Sequence, residues 1–393
     1  MKLLKMTPRE LIPAGLSKWI NILYQKSNCP KLHKMIMRGV PLFVKILLTC
    51  MLAILTMAFL GWTAIRSWIE PPEIPDITQN VAITSLDNFA FLPLDDEEEK
   101  EGEMFVWDGS RAPEGFTADD RKEQFYTFLI IGIDDGVNTD AIVVASFDGI
   151  NKEVNIISIP RDSLVNVTRR IKKISAAFPI GSLRGRGREG GIAQLQRELK
   201  TIIGFIPDFY IAIELDALPR IIDALGGIEV YVPIDMRWND RRQNLRIDIR
   251  RGLQRLDGEN AAHFVRYRRG SRGFITITDY QRIENQQAAI KAMLTELMRP
   301  WNIFNLPALV NIFNEHVHSD ISFGNMAWFA EQLLTNVRSD AFSMYTIPTI
   351  GTSGPPMYYE VLNGAEIIEL VNRTINPYMR NIEARHLSII TRY

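Results

Sequence analysis

Three short apolar segments near the middle of the chain constrain its fold more than any other feature. Tyr126–Ile133, Ala141–Phe147 and Val154–Ile159 are rich in β-branched and aromatic residues, which favour strands. Uninterrupted apolar runs of this length are typical of strands that are buried on both faces. The sequence therefore predicts an α/β fold built around a central sheet.

Charged residues directly follow two of these strands. The loop Asp134–Asp140 carries three carboxylates in seven residues, and Pro160, Arg161 and Asp162 follow the third strand. In α/β folds, ligands bind at loops just outside the carboxyl ends of the strands. We therefore expect acidic groups and an arginine to converge at one end of the sheet.

An uncharged segment over residues 46–65 predicts one transmembrane helix. Twenty residues at about 1.5 Å each span roughly 30 Å, the thickness of a bilayer core. Lys45 and Arg66 flank the segment, and Trp62 and Trp68 lie where an interfacial aromatic belt is expected. A cleaved signal peptide fits less well, because a long basic region precedes the segment and no small-residue cleavage motif follows it.

The distribution of charge sets the expected topology and domain boundaries. Residues 1–45 contain nine Lys or Arg and a single acid, Glu10, which predicts a cytoplasmic tail. Residues 66–122, with an acidic run at 95–101, are expected to form an extracytoplasmic spacer. Residues 123–393 are expected to form one domain outside the cytoplasm, since no second core is evident over 300–393.

Composition excludes several kinds of chemistry. Both cysteines, Cys29 and Cys50, precede residue 51, so the predicted domain has no disulfide, cysteine-rich zinc site or cysteine nucleophile. The pair His316 and His318 is interpreted as part of a solvated loop rather than a metal site. The net charge of −1 gives no overall attraction to nucleic acid.

A glycine-rich segment over residues 181–191 contains a literal G-x-G-x-x-G from Gly185 to Gly190. A dinucleotide-binding fingerprint should follow a strand directly, and no clear strand precedes this one. We therefore interpret the segment as a flexible basic loop before a helix over Ile192–Ile203, where its arginines could attract an anion.

Further elements are expected downstream. The expected strands are Phe209–Leu215, Ile228–Val232, Arg246–Ile249 and Phe342–Ile347. The expected helices include one that ends near Ile222, together with Gly258–Val265, Asp279–Leu297 and Glu366–Ile375.

Eight short motifs occur in order across residues 125–290. They are Gly132–Asp134, Thr139-Asp140, Ser158–Asp162, Lys173–Ala177, Asp223–Gly227, Leu256–Glu259, Val265–Arg268, and Asp279–Arg282 running into Gln286-Gln287. Each is weak alone, but the ordered set resembles the LytR-CpsA-Psr family of bacterial cell-envelope proteins. The resemblance implies an α/β/α sandwich with a central mixed β-sheet flanked by helices.

The resemblance also implies a reaction. Proteins of this family are phosphotransferases of the bacterial cell membrane that move a glycopolymer from undecaprenyl pyrophosphate to peptidoglycan. The reaction forms a phosphodiester and leaves undecaprenyl phosphate, with Mg²⁺, or alternatively Mn²⁺, assisting. The implied partners are the lipid-linked glycopolymer, the peptidoglycan acceptor and the membrane, and they include no nucleic acid.

Residue roles follow from the resemblance and agree with the chemistry that a pyrophosphate needs. Mg²⁺ usually takes one or two carboxylates together with phosphate oxygens, and Asp134 and Asp140 match that role. Arginines bind phosphate through paired donors, so transfer depends on positioning and charge neutralisation. The residues expected around the pyrophosphate are Arg161, Lys173, Arg266, Arg268, Arg282 and Gln286.

Asp140, Arg161 and Asp279 are the residues expected to act in catalysis. Asp279 lies one helical turn before Arg282, so it either orients that arginine or helps to deprotonate the acceptor hydroxyl. Asp162 is expected to brace the loop.

The sequence departs from the family pattern at two positions. Asn138 and Asn285 stand where arginine is usual, and the loop from Arg269 to Thr278 is long and basic. Two alternatives therefore remain open: an envelope scaffold that binds lipid-linked glycan with weakened catalysis, and a hydrolase of polyprenyl pyrophosphates. A DNA-binding regulator is disfavoured, because the basic tail suits anionic lipid.

Overall fold

A computed structural model describes most of the chain after residue 109. The described residues are 51, 56, 66, 69–76, 110–134, 138–183, 187–240, 245–271, 273–299, 302, 305–338, 341–354 and 357–390. The predicted tail lies outside them, as does the predicted span over 46–65 apart from Met51 and Thr56. Over the described ranges, no helix is both long and apolar enough to cross a bilayer.

The chain divides into two compact units, Met1–Ile69 and Glu70–Tyr393. All elements named below belong to the second unit. At its start, part of the predicted spacer packs on the sheet-bearing body. The Arg111 guanidinium donates to the carbonyls of Pro207 and Asp208 at 2.6 and 2.8 Å, and Ala112 is buried.

A six-stranded mixed sheet forms the centre of this unit, with the order β10-β3-β2-β1-β4-β9. Its strands are β1 (Phe125–Asp134), β2 (Asn138–Asp148), β3 (Glu153–Ile159), β4 (Phe209–Glu214), β9 (Val317–Ser319) and β10 (Phe342–Thr346). The pairs β1–β4 and β3–β10 are parallel, and the others are antiparallel. The prediction of a mixed central sheet is confirmed.

Eight helices are described. They are α1 (Ala177–Leu183), α2 (Gly187–Ile203), α3 (Ala217–Ala224), α4 (Gly258–Arg266), α5 (Asp279–Leu297), α6 (Leu306–His316), α7 (Phe323–Asn336) and α8 (Gly364–Thr374). The bounds of α5 match the prediction at both ends.

The alternation of side chains along β1 explains the layers on either face of the sheet. Leu129, Ile131 and Ile133 point to one face, where they join a core with α2 and α8. Tyr126 and its alternate neighbours point to the other face, where Phe329 of α7 closes a second core. Burial of both faces, predicted from the apolar runs, is confirmed.

A separate apolar cluster, which the sequence did not suggest, lies outside the sheet. It joins α4 and one side of α5 to two small ribbons of paired strands. One ribbon pairs β5 (Ile228–Val232) with β8 (Gly252–Leu256), and the other pairs β6 (Met236–Asp240) with β7 (Leu245–Ile249). A third ribbon pairs β11 (Thr349–Thr352) with β12 (Glu360–Leu362).

Two interpretations of the sequence were wrong. The glycine-rich segment is not a loop up to Ile192, because α2 already begins at Gly187. A Cβ at Gly191 would overlap Ser182 and Phe178 of α1, so this glycine allows the two helices to pack closely. The His316–His318 pair is also not a loop, since it spans the end of α6 and the edge strand β9.

Candidate active site

One end of the central sheet contains the end of β1, the start of β2 and the end of β3. Asp134 pairs with Asn138 in the β1–β2 register, and Ile142 pairs with Ile159 in the β2–β3 register. The antiparallel pairing therefore places the elbow after β3 opposite the start of β2. Arg161 Nη1 donates to Asp140 Oδ1 at 3.0 Å, and both side chains are about one quarter to one third exposed.

The second carboxylate of the elbow braces the loop that carries Arg161. Asp162 Oδ1 lies 3.0 Å from Lys173 Nζ and 3.9 Å from Arg161 Nε. The main chain reinforces this link, because the N–H of Ser175 donates to the carbonyl of Arg161 at 3.1 Å. Lys173 is thereby held beside the phosphate-binding residues expected from the sequence.

Helix α4 and the loop after it bring two further arginines. Arg266 Nη2 lies 3.8 Å from Asp134 Oδ2. Arg266 is the last residue of α4, and the chain leaves the helix at Tyr267. The Tyr267 ring is fully buried and its hydroxyl donates to the Ile275 carbonyl at 2.7 Å, which leaves Arg266 and Arg268 exposed on either side of an anchored residue.

The first turn of α5 contributes a carboxylate and a buried arginine. Thr278 caps the helix, because its hydroxyl accepts from the N–H of Gln281 at 3.2 Å. Arg282 Nη2 lies 3.0 Å from Asp279 Oδ1, and Arg282 is only 7% exposed. Burial lowers the pKa of Arg282, and the nearby charges of Asp279, Arg161, Asp140 and Arg268 also affect it, which places these groups in one electrostatic cluster.

The two glutamines that follow differ in role. Gln286 lies one turn after Arg282 on the same side of α5 and is partly buried. Gln287 instead ties the helix to the sheet, because its Nε2 donates to Ser158 Oγ at 3.1 Å and to the Tyr345 carbonyl at 2.9 Å. This anchoring fixes the height of α5 relative to the end of β3.

The donor set suits Mg²⁺ better than a transition metal. Asp134 and Asp140 offer carboxylate oxygens on neighbouring strands, and Mg²⁺ completes such a pair with phosphate oxygens and water. Over the described part of the chain, no group of three or more His, Cys, Asp or Glu residues could hold a metal by itself. Asp134 and Asp140 are thus two carboxylates of the kind that Mg²⁺ takes in proteins.

The departures from the family pattern occupy different environments. Asn138 lies in β2, and its side chain is outside the described set. Asn285 is buried on α5 at 4% exposure. The basic loop after Arg268 is held in place by β6, since the N–H of Ser271 donates to the Arg237 carbonyl at 2.8 Å.

Glu360 is a residue beside this cluster that the sequence did not indicate. The N–H of Glu360 donates to the Asp162 carbonyl at 2.9 Å, so β12 lies directly against the elbow. No sequence signal could have identified it, because it lies far beyond the motif-bearing region and only the pairing of β12 with the chain after β3 brings it to the elbow. Glu360 is the single acidic residue in Tyr358–Leu362, so no acidic motif marks it in the sequence.

The assembled site can do one kind of chemistry well. Five cationic side chains lie at one end of the sheet: Arg161, Lys173, Arg266, Arg268 and Arg282. All of them except Arg268 have a carboxylate within 4 Å among the described residues. Such a set of donors can neutralise a pyrophosphate and the charge that develops as one of its P–O bonds breaks.

Comparisons with known proteins show the family to which the chain is related. A model of the LytR_cpsA_psr family matches residues 96–375. The chain is 25% identical over 278 residues to the polyisoprenyl-teichoic acid–peptidoglycan teichoic acid transferase TagV of Bacillus subtilis (strain 168), covering 66% of each. It is also 25% identical over 200 residues to the regulatory protein MsrR of Staphylococcus aureus (strain COL), covering 50% of this chain and 56% of that one.

Solved structures share the fold. The crystal structure of B. subtilis TagV is 23% identical with a TM-score of 0.53, covering 67% of this chain and 100% of that one. The structure of TagT bound to LIIa-WTA is 20% identical with a TM-score of 0.50, covering 64% and 89%. The chain spans between about half and two thirds of the length of the two curated relatives.

Proposed function

The chain belongs to the LytR-CpsA-Psr family, and on that premise we propose that it is a membrane-anchored phosphotransferase. Its proposed reaction moves a glycopolymer from undecaprenyl pyrophosphate to peptidoglycan through a phosphodiester. The name of TagV, a teichoic acid transferase acting on peptidoglycan, supports this class of reaction. The uncharged segment over 46–65 and the basic tail before it support the proposed anchor, with the domain outside the cytoplasm.

One observation carries the proposal. Cationic side chains from four separate parts of the chain each lie beside a different carboxylate at one end of the sheet. Arg161 follows β3, Lys173 precedes α1, Arg266 ends α4 and Arg282 lies in α5. A structural role alone would not require so many cations at one edge, whereas a pyrophosphate carries several negative charges that need them.

The proposed roles follow from these positions. Arg161, Arg266, Arg268, Arg282 and Lys173 bind the two phosphates and neutralise the charge that grows on the leaving lipid phosphate. Gln286 adds an uncharged donor on the same side of α5. Asp134 and Asp140 would hold Mg²⁺, which neutralises phosphate charge when bound.

Substitution of the strand-end residues tests the proposal. The full-length protein, purified in detergent, would be incubated with a polyprenyl-pyrophosphate-linked glycan, peptidoglycan and Mg²⁺. We expect the wild type to form a covalent glycan–peptidoglycan linkage, and Asp140→Ala or Arg161→Ala to reduce it by at least about 100-fold, because each removes charge stabilisation of the transition state.

Arg385→Ala is the matched control, since that side chain is exposed and its ion pair among the described residues is with the exposed Glu383. Equal activity in the wild type and all three variants would contradict the assigned site. Release of free phosphorylated glycan without any acceptor would instead identify a hydrolase. Tight binding of the lipid-linked glycan without turnover would identify a scaffold.

A further inference from the structure

The backbone of Glu360 is fixed against the elbow that carries Arg161 and Asp162. Its N–H donates to the Asp162 carbonyl at 2.9 Å, and its own carbonyl accepts from the N–H of Leu164, also at 2.9 Å. A parallel bridge between Ser163 and Glu360 results. Any movement of the elbow would therefore move Glu360 with it.

The side chain of Glu360 lies between this elbow and the first turn of α5. Thr352 of β11 donates its hydroxyl to Glu360 Oε1 at 3.1 Å. On the α5 side, the hydroxyl of Tyr280 forms a hydrogen bond with Thr349, also of β11. Tyr280 directly follows Asp279, so the β11–β12 ribbon closes one side of the cluster.

Among the described residues, no Lys, Arg or His forms an ion pair with Glu360. Its Oε2 atom is buried and has no hydrogen-bond partner within the described part of the chain. Two acidic neighbours lie next to cations, Asp162 at 3.0 Å from Lys173 and Asp279 at 3.0 Å from Arg282. Both Asp279 oxygens are buried as well and, like Glu360 Oε2, have no hydrogen bond within the described residues, so the ion pair is what distinguishes Asp279 from Glu360. A carboxylate held by a cation is a weak proton acceptor, because protonation would cost it the ion pair.

Burial and the neighbouring negative charges change the pKa of Glu360 in the same direction. Burial raises its pKa above the ordinary value, and the negative charges of Asp279 and Asp162 raise it further. The hydroxyls of Thr352 and Tyr280 offset part of this rise. A general base works best when its pKa lies near the operating pH, so these neighbours suit Glu360 to accept a proton.

We propose that Glu360 accepts the proton of the acceptor hydroxyl during transfer. The inference rests on the proposed transferase function and assigns the role of base to a residue outside the motif-bearing region. Asp279 is then a positioning residue that holds Arg282 towards the phosphates.

The acceptor oxygen attacks the phosphorus that carries the glycopolymer, and its O–H bond breaks as the new P–O bond forms. The proton moves to the Glu360 carboxylate. The bond from that phosphorus to the bridging oxygen breaks, and polyprenyl phosphate leaves with the electron pair. Glu360 then releases its proton to water.

The test measures transfer by the full-length protein between pH 5 and 9. The probes are a polyprenyl-pyrophosphate-linked N-acetylglucosamine donor and uncrosslinked peptidoglycan oligomers as acceptor. We expect Glu360→Gln to lower kcat by about 100-fold or more, because general base catalysis contributes roughly 10²–10⁴. The KM for the lipid donor should stay within about threefold of wild type.

The pH profile separates a base from a structural residue. Wild type should lose activity as acid protonates Glu360, Glu360→Gln should lack this acidic limb, and Glu360→Asp should retain it with a reduced rate. Glu369→Gln, an exposed residue of α8, is the control and should match wild type. An unchanged acidic limb in Glu360→Gln would overturn the assignment of Glu360 alone, whereas a wild type without any transfer would overturn both proposals.

Discussion

The carboxylates of this protein differ in what neutralises them, and this difference decides how each responds to substitution. Asp208 is buried, and its Oδ2 accepts from the Thr127 N–H at 2.8 Å, the Thr127 hydroxyl at 2.8 Å and Arg121 at 2.9 Å. Asp248 pairs with Arg237 at a similar distance, 3.0 Å, but both side chains are about half exposed. Similar distances thus describe two energetically different pairs.

Replacing each aspartate should show how much its ion pair contributes to the free energy of unfolding. Asp208→Ala should lower the free energy of unfolding by about 3–5 kcal/mol, because it leaves the buried Arg121 charge without its carboxylate. Asp248→Ala should cost less than about 1 kcal/mol, since water screens the exposed pair. Thermal or urea unfolding of the detergent-purified protein measures both, and equal losses would contradict the argument from burial.

Single residues also mark where sequence reasoning succeeded and where it stopped. Asp134, Asp140 and Arg161 could be placed together from sequence because each directly follows or begins a recognisable strand. Glu360 could not, because its contact with the elbow depends on the pairing of β12 with the chain after β3. No local pattern encodes that pairing.

At the scale of elements, α5 connects the site to the rest of the fold. Its first turn holds Asp279 and Arg282, its middle contacts the sheet through Gln287, and its far side packs in the cluster with the small ribbons. The Thr278–Gln281 capping box fixes where this helix begins. Both bounds were predictable, because a strong cap precedes a long amphipathic segment.

Loss of this cap should affect function as well as stability. Thr278→Ala should cost about 1 kcal/mol of stability, as is usual for a lost N-cap, and it should also lower transfer because the turn with Asp279 and Arg282 frays. Ser322→Ala removes the matching cap of α7, where Ser322 accepts from the N–H of Asn325 at 3.2 Å.

Comparing these two variants separates the general effect of losing an N-cap from the effect of losing it beside the site. Both should lose similar thermal stability, but only Thr278→Ala should lose transfer activity by more than about threefold. If both variants lose activity in proportion to their stability, the first turn of α5 has no special role in the site.

The elements that escaped prediction share a physical cause. Strands β6, β8, β11 and β12 have three to five residues, and none of them contains more than two successive apolar side chains. Such ribbons form because they cover apolar surface on α4 and α5 or pair with an existing edge, and not because of strong local preference. By contrast, β1, β2 and β3 are long, apolar and buried on both faces, so their sequences identify them.

At the scale of the whole molecule, the sheet ends at β9, and a charged cluster lies at that edge. Glu214 at the end of β4 contacts His316 and His318 at 3.4 Å each, and Arg188 of α2 at 3.0 Å. The cluster therefore joins the edge strand, the sheet and α2 through one carboxylate.

This cluster should make stability depend on pH in the acid range. Burial alone would raise the pKa of Glu214, but hydrogen bonds from His316 and His318 and the charge of Arg188 outweigh it, so the pKa is lowered from 4.5. The ionised carboxylate thus stabilises the fold above pH 4.5, and this contribution disappears as the pH falls through the lowered pKa.

We expect wild type and Glu214→Gln to differ in melting temperature at neutral pH and not in acid. Glu214→Gln should melt at a lower temperature than wild type at pH 7, and the two melting temperatures should converge below about pH 4.5. Glu369→Gln, with a side chain 77% exposed, should match wild type throughout. A gap that persists unchanged into acid would show that the carboxylate charge is not responsible.

The ion pairs of the site have a consequence for how ligands compete. Arg161 and Arg266 are already engaged by Asp140 and Asp134, so an arriving anion must exchange with carboxylates of the protein. A divalent cation on those carboxylates would free both arginines, and by reciprocity the cation and the anion would then raise each other's affinity by one common factor. Simple anions such as inorganic phosphate, arriving alone, would face the protein's own carboxylates as competitors. The site would therefore select for anions that bind together with a divalent cation, and it would bind anions that arrive alone more weakly.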